Sequence, residues 1–176
     1  MNIIGEKIIL RAIEEKDAEM FLEMINDPET ESMIGGQSFP VSKLEQEQWI
    51  RNQTGNKLLL RCVIVNKDNI EKGLGTVILS DIDFKNGVSQ VHIKMVNTVR
   101  GKGLGSDALK TIVRYAFNEL RMHCLYAEVL TYNHVSQSLF EHCGFKKDGI
   151  LRSRVYKYGA YQDMIAYSII KDDVKK

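Results

Sequence analysis

Between a strand-like run, Gln90 to Val96, and a helix-forming run that begins at Leu104 stands Arg100-Gly101-Lys102-Gly103-Leu104-Gly105-Ser106. Its three alternating glycines leave backbone N–H groups uncovered and free to take positive φ. The first turn of the following helix adds unpaired donors and the positive end of its dipole, and Arg100 and Lys102 add charge at the same place. A chain with this stretch has to deliver a strand into a helix through a loop suited to a pyrophosphate. The spacing excludes two other phosphate loops. A dinucleotide fingerprint needs Gly where Ser106 stands, and a Walker loop needs four residues between its glycines and then Lys-Ser/Thr. A glycine-rich turn with solvated basic side chains satisfies the same composition, so the loop needs support from its surroundings.

Leu104, Ala108, Leu109, Ile112, Val113, Ala116, Phe117 and Leu120 form one broad apolar helical face, opposite Lys110, Arg114, Asn118 and Arg121. Leu125 to Leu130 then reads as a strand, Asn133 to His142 as a helix stopped by Gly144, and Phe145 to Lys147 as the start of another strand. Strand, glycine loop, helix and strand make a crossover unit. Upstream, Lys7 to Ala12 is strand-like, and a helix follows from Glu14 with Ala18, Phe21, Leu22 and Ile25 on one face, ending at Asn26-Asp27-Pro28. Glu29 to Pro40 has no periodicity, while Ser42 to Gln53 is polar and helix-prone. Leu58 to Val65, Gly73 to Leu79 and Gln90 to Val96 form an antiparallel meander, and Gly149 to Val155 with Asp163 to Ile170 close the chain around Tyr158-Gly159-Ala160. The expected class is α+β, a mixed, mostly antiparallel sheet with helices on its faces, in one domain spanning residues 1–176.

Charge narrows the partners. With 24 basic and 23 acidic residues the net charge is +1, which supplies no global field for nucleic acid or an anionic membrane. Cys62, Cys124 and Cys143 are odd in number and contain no C-x-x-C pair, so neither a disulfide framework nor a metal site is indicated, and reduced thiols fit a cytoplasmic location. Met1 to Leu10 lacks a signal-peptide core, and no run approaches membrane-spanning length.

A second block, Asn133-His134-Val135-Ser136 followed by Leu139 to Phe145, supplies a helix cap and a Gly144-Phe145 stop. With both blocks in view the chain resembles the GNAT superfamily of acetyl-CoA-dependent N-acetyltransferases. That superfamily's pyrophosphate loop, Arg/Gln-x-x-Gly-x-Gly/Ala, is matched by Arg100-Gly101-Lys102-Gly103-Leu104-Gly105, and its asparagine-led helix by Asn133 to Phe145. Lys7-Ile8-Ile9-Leu10-Arg11 and Tyr161-Gln162-Asp163 are similar to the branch of ribosomal-protein N-terminal and spermidine acetyltransferases.

The resemblance implies acetyl-CoA as co-substrate, no metal, and a splayed strand pair, Ser89 to Val96 and Cys124 to Leu130, that admits the pantetheine. Met95 and Val96 would offer backbone groups to pantetheine and thioester, Arg100 to Ser106 would wrap the pyrophosphate, and Asn133, Ser136 and Phe140 would lie along the other side. The acceptor implied is a small amine such as a polyamine, or a protein N-terminus; an amino sugar or aminoglycoside is the alternative, and a homodimer is compatible.

Two departures bear on chemistry. Many members of the family it resembles carry Glu at the place of Gln90 and Tyr at the place of Phe140, and neither side chain here can move a proton. A CoA-binding sensor without turnover is therefore a competing expectation. For a base, the candidates are His92, on the same strand face as Gln90, and the acids Asp81 and Asp83; for the acid, Ser136. Glu31, Asp81, Asp83 and Asp163 could attract a cationic acceptor, and Tyr156, Tyr158, Tyr161 and Tyr167 could line its channel.

Overall fold

The computed structural model describes residues 1–36, 39–53 and 58–174. Its centre is one eight-stranded sheet in the order β1-β2-β3-β4-β5-β6-β8-β7. The strands are β1 (Ile3–Ile4), β2 (Ile8–Arg11), β3 (Leu60–Asn66), β4 (Asn69–Asp83), β5 (Val88–Met95), β6 (Cys124–Leu130), β7 (Lys146–Lys157) and β8 (Ala160–Ile170). Every neighbouring pair is antiparallel except β5 and β6, which are joined through helix α4 (Leu104–Asn118). This is the α+β class expected from the sequence.

Strand alternation divides the core between the two faces. Ile8, Leu10, Ile64, Val77, Leu79, Val91 and Leu125 meet the predicted stripe of α4, in which Ala108, Leu109, Ile112 and Ala116 are fully buried. On the opposite face Val63, Val65 and Val96 pack with Phe21 and Met24 of α1 (Ala18–Asn26) and Ile50 of α3 (Lys43–Arg51). Helix α5 (His134–His142) joins the α4 side through Phe140, which stacks on Tyr167 of β8.

The stretch that showed no periodicity contains a further helix, α2 (Pro28–Ser32). Asp27 both ends α1 and caps α2: its carboxylate accepts from Thr30 N–H at 3.1 Å, and Pro28 pre-sets the first helical φ. Gln37 and Ser38 of that stretch lie outside the described residues.

Two carboxylates, Asp107 half-buried and Asp17 buried, fasten the N-terminal strand. Asp107, in the first turn of α4, accepts from the N–H groups of Glu6, Lys7 and Ile8 at 3.0, 2.6 and 3.1 Å. Burial alone would raise its pKa, but these donors outweigh it and hold the group below its ordinary value. Arg11 and Asp17 form a two-pronged pair, both bonds at 2.8 Å, with side chains 7% and 1% exposed. Arg11 Nε also donates to Ile70 O at 3.1 Å and Asp17 accepts from Glu14 N–H at 2.8 Å, so the pair ties β2, the start of α1 and β4 together.

Removing one partner strands the other charge in the core. Asp17→Ala is expected to lower the unfolding free energy by roughly 3–5 kcal/mol in urea denaturation. Lys16→Ala, which removes only exposed pairs with Glu14 and Glu71, should leave the midpoint nearly unchanged.

Candidate active site

β5 and β6 are hydrogen-bonded over three residue pairs, Val88↔Cys124, Ser89↔Leu125 and Gln90↔Tyr126, and then part. β5 continues to Met95 against β4, and β6 continues to Leu130 against β8. The expected splayed pair is therefore present. A cavity of about 640 Å³ runs through the gap. On the α5 side it is lined by Asn133, Ser136 and Phe140; at the lips by Val91, Ile93, Val129 and Leu130; on the far side by Arg61, Thr76, Ile78, Ser80, Gln90, His92, Lys94 and Glu128. A second cavity of about 560 Å³ beneath α1 and α3 shares Arg61, Thr76, Ile78 and Lys94 with it. The two surfaces of the sheet thus communicate through its middle.

Which backbone groups face the gap follows from the β4–β5 ladder. Val96 N–H donates to Leu74 O at 3.0 Å, so the even-numbered residues of β5 bond β4. The odd-numbered ones, Val91, Ile93 and Met95, turn their N–H and C=O groups toward β6, where beyond Gln90 there is no ladder. This corrects the expectation for Val96: its N–H is occupied, and its side chain is buried in the α1–α3 core. Met95 does face the gap, and its carbonyl accepts from Arg100 Nη2 at 3.3 Å.

The glycine loop opens α4 at the same end of the gap. Gly101 and Gly103 have φ of 76° and 77°, the left-handed region that favours glycine, and a Cβ at either would meet no protein atom within 4 Å. The first helical bond runs from Asp107 N–H to Gly103 O, so Leu104, Gly105 and Ser106 have N–H groups with no acceptor inside the helix. α2, α3 and α5 are capped by Asp27, Ser42 and Asn133, whereas no side chain caps α4. An anion with several oxygens fits this uncapped end, with the exposed Lys102 beside it. Leu104 itself is buried in the core. Arg100 turns inward, donating to Thr30 Oγ1 at 2.9 Å, with Glu29 at 3.9 Å.

Asn133 caps α5 by accepting from Ser136 N–H at 3.0 Å and also donates to Met33 O at 2.8 Å. Tyr132 Oη donates to Ser32 O at 2.8 Å, and Asn97 Nδ2 to Asp27 at 2.8 Å. Residues 27–36 are therefore knit to both lips at the open end of the gap. Ser136 lines the cavity and its hydroxyl makes no hydrogen bond among the described residues. Phe140 is buried, edge-on to Phe145 at 5.0 Å, and closes the apolar wall.

His92 stands two residues beyond the last β5–β6 pair, at the mouth of the gap. Its Nε2 is 2.8 Å from Ser80 Oγ, which lies 3.2 Å from the Asp81 carboxylate. With the hydroxyl donating to Asp81, Nε2 carries the hydrogen and Nδ1 keeps its lone pair; with the hydroxyl donating to Nε2, the hydrogen sits on Nδ1. Burial lowers the His92 pKa, the nearby Arg61 lowers it further, and Asp81 raises it in part, so the ring is held below its ordinary value. Asp81 sits at a β-bulge with φ of 51°, the irregularity that aims its carboxylate at Ser80. Sequence reasoning named His92 and Asp81 but missed Ser80, because the bulge that joins them leaves no composition signal. It also missed Glu128 and Arg61; the latter was legible as the lone charge in an apolar strand.

The other acids nominated for a cationic acceptor are committed elsewhere. Glu31 pairs with Lys94 at 2.8 Å, Asp83 holds the Lys85–Asn86 turn, and Asp163 accepts from Ser153 N–H at 2.8 Å. The tyrosines are corrected as well: Tyr156 and Tyr161 pair with each other on the surface, Tyr158 is exposed, and Tyr167 is buried under α5 with its hydroxyl on Glu141. No helix among the described residues is long and apolar enough to cross a membrane.

The acetyltransferase (GNAT) domain model matches residues 7–146. An uncharacterized N-acetyltransferase, YokL, derived from the SPbeta prophage of Bacillus subtilis is 30% identical over 169 residues, covering 96% of this chain and 93% of that protein. Among solved structures, spermidine N-acetyltransferase from Vibrio cholerae in complex with CoA and spermine superposes with a TM-score of 0.87 at 23% identity, covering 96% of this chain and 98% of that one. A ribosomal L7/L12 alpha-N-protein acetyltransferase in complex with coenzyme A gives 0.85 at 16% identity, covering 98% and 99%. The two superpositions speak to the fold. Taken with the split strands and the uncapped glycine loop, the domain match and the YokL identity mean that this chain belongs to the GNAT acetyltransferase family and is an acetyltransferase enzyme.

Proposed function

We propose that the chain moves the acetyl group of acetyl-CoA directly to a primary amine while both substrates are bound. The through-sheet cavity carries this reading, because it lets a donor held on the α4–α5 side present its thioester to an acceptor on the other. The N–H groups of Gly101 to Ser106 receive the pyrophosphate, Met95 and Ile93 bond the pantetheine and the thioester oxygen, and Asn133, Ser136 and Phe140 flank the arm. A fixed N–H aimed at the carbonyl oxygen stabilises the oxyanion as the amine adds.

In the step itself a C–N bond forms and the C–S bond breaks. An alkylammonium with pKa near ~10.4 has to lose a proton first, and a second proton leaves the nitrogen as the amide forms. Nδ1 of His92, neutral at pH 7, accepts the first, and the Ser80 hydroxyl, donating to Asp81, keeps the ring in the tautomer that leaves Nδ1 bare. The departing thiolate takes a proton from Ser136 or from water held by it, and the second proton shed by the nitrogen restores that donor, so the balance is one thiol, one amide and one proton on His92. These assignments give the roles vacated at Gln90 and Phe140 to other residues and favour turnover over a sensor. A polyamine has the weaker support among acceptors, since Glu31, Asp83 and Asp163 are engaged within the protein.

Thiol release across an amine panel, with mass detection of acetylated product, tests the activity; stoichiometric CoA binding without turnover would leave the sensor reading. Gly103→Val is expected to weaken acetyl-CoA binding at least about tenfold while the protein stays folded, the φ strain costing about 1–2 kcal/mol. Unchanged affinity would refute the loop assignment. His92→Gln should lower kcat by roughly 100-fold and abolish an acid limb lying below about pH 6.5, where protonation removes the base. Ser136→Ala should lower kcat about tenfold without raising KM for acetyl-CoA.

A further inference from the structure

The far chamber holds a cation that the acetyl transfer does not use. Arg61 lies within β3 on the sheet face shared with His92, and its guanidinium lies over the Trp49 ring at 4.7 Å while Nη1 donates to Gln53. The stack sets the plane of the guanidinium and Gln53 occupies one corner. Nη2 and Nε have no acceptor among the described residues, and no carboxylate pairs with Arg61 there; the residues outside that set include no Asp or Glu. Arg61 is half-buried and lines both cavities, and burial without a compensating carboxylate lowers its pKa. An arginine in that state has an unused, partly desolvated fork of donors.

The other charges around it are already matched or screened. Lys94 is neutralised by Glu31, and Glu45 is held by Ser42 in the cap of α3. Arg154 stands exposed at the rim. Glu128, on the opposite lip of the gap, makes no ion pair among the described residues. The chamber therefore presents one negative group near the gap and one positive group set back from it. Arg61 pairs with Ile78 and Ile78 with His92, so Arg61 lies two strand spacings, about 9.5 Å, from the gap mouth on the same face.

Resting on the amine-acetyltransferase reading, we propose that the acceptor is a small amino-carboxylate whose amine lies at the His92–Glu128 mouth of the gap and whose carboxylate is received by the Arg61 fork. Arg61 is thus a specificity-determining residue: it excludes simple alkylamines and polyamines by leaving its own donors unpaired when they bind.

The test compares a series of ω-amino acids with their primary amides, which preserve size and the amine. With the wild-type protein, kcat/KM for the carboxylate member of the best pair is expected to exceed that of its amide by roughly 10- to 100-fold. Arg61→Met should shrink that ratio below about 3-fold, and Arg61→Lys should retain part of it, with CoA affinity reporting that each variant is folded. Equal rates for carboxylate and amide, or a preference that survives Arg61→Met, overturns the proposal. If no amine is acetylated, the transferase reading fails separately, and calorimetry on the CoA-loaded protein decides. Carboxylate binding lost on Arg61→Met upholds the anion site, and absence of binding in the wild type overturns it.

Discussion

The parting of β5 and β6 is the constraint on which the other features depend. Opening a sheet at its centre leaves polar backbone groups without partners, a cost normally confined to edges. Here each lip keeps its outer neighbour, β4 on one side and β8 on the other, and the two lips are bridged at their base by three parallel pairs. α4 and α5 cover one face of the divide. The unpaired groups are therefore held rigidly in place, which suits them to bond a ligand along its length.

Parallel pairing and the uncapped glycine loop have one origin. Two parallel neighbours need a crossover, and the crossover here is α4, whose N-terminus must then lie at the end of β5 where the strands have separated. A glycine loop in the left-handed region lets the chain turn from strand to helix there without a side chain covering the N–H groups. The second tie is polar. Arg100, Asn97, Tyr132 and Asn133 all bond residues 27–36, so the segment over the cavity takes its position from both the glycine loop and the α5 cap.

Much of this was legible in the residues. The α4 stripe has enough turns for its period to be unmistakable, and the order of strand, glycine loop, helix and strand around it marked the crossover. Features shorter than a period were not legible. α2 has five residues, all of them polar or proline, and only the Asp27-Pro28-x-Thr30 cap betrays it. β7 runs unbroken as Lys146–Lys157, although Asp148-Gly149 reads as a break, because bulges at Lys147/Gly149 and Leu151/Val155 absorb it. The direction of an N–H within a strand depends on register, which explains why Val96 and Met95 could not be told apart beforehand. The acids were visible as charges, while their commitments to Lys94, a turn and a neighbouring strand arise only from tertiary contacts.

Parity in β5 couples two properties that usually vary independently. Even positions carry the side chains that face the Arg61–His92 chamber, and odd positions carry the amides that face the gap. Losing or gaining one residue between the bulge and Met95 would exchange both sets at once, placing Ile93 in the chamber and turning the gap-facing amides into β4. Along this strand a substitution alters one side chain, whereas a change of length alters every position at once: the phase of the pleat is itself part of the cavity's construction.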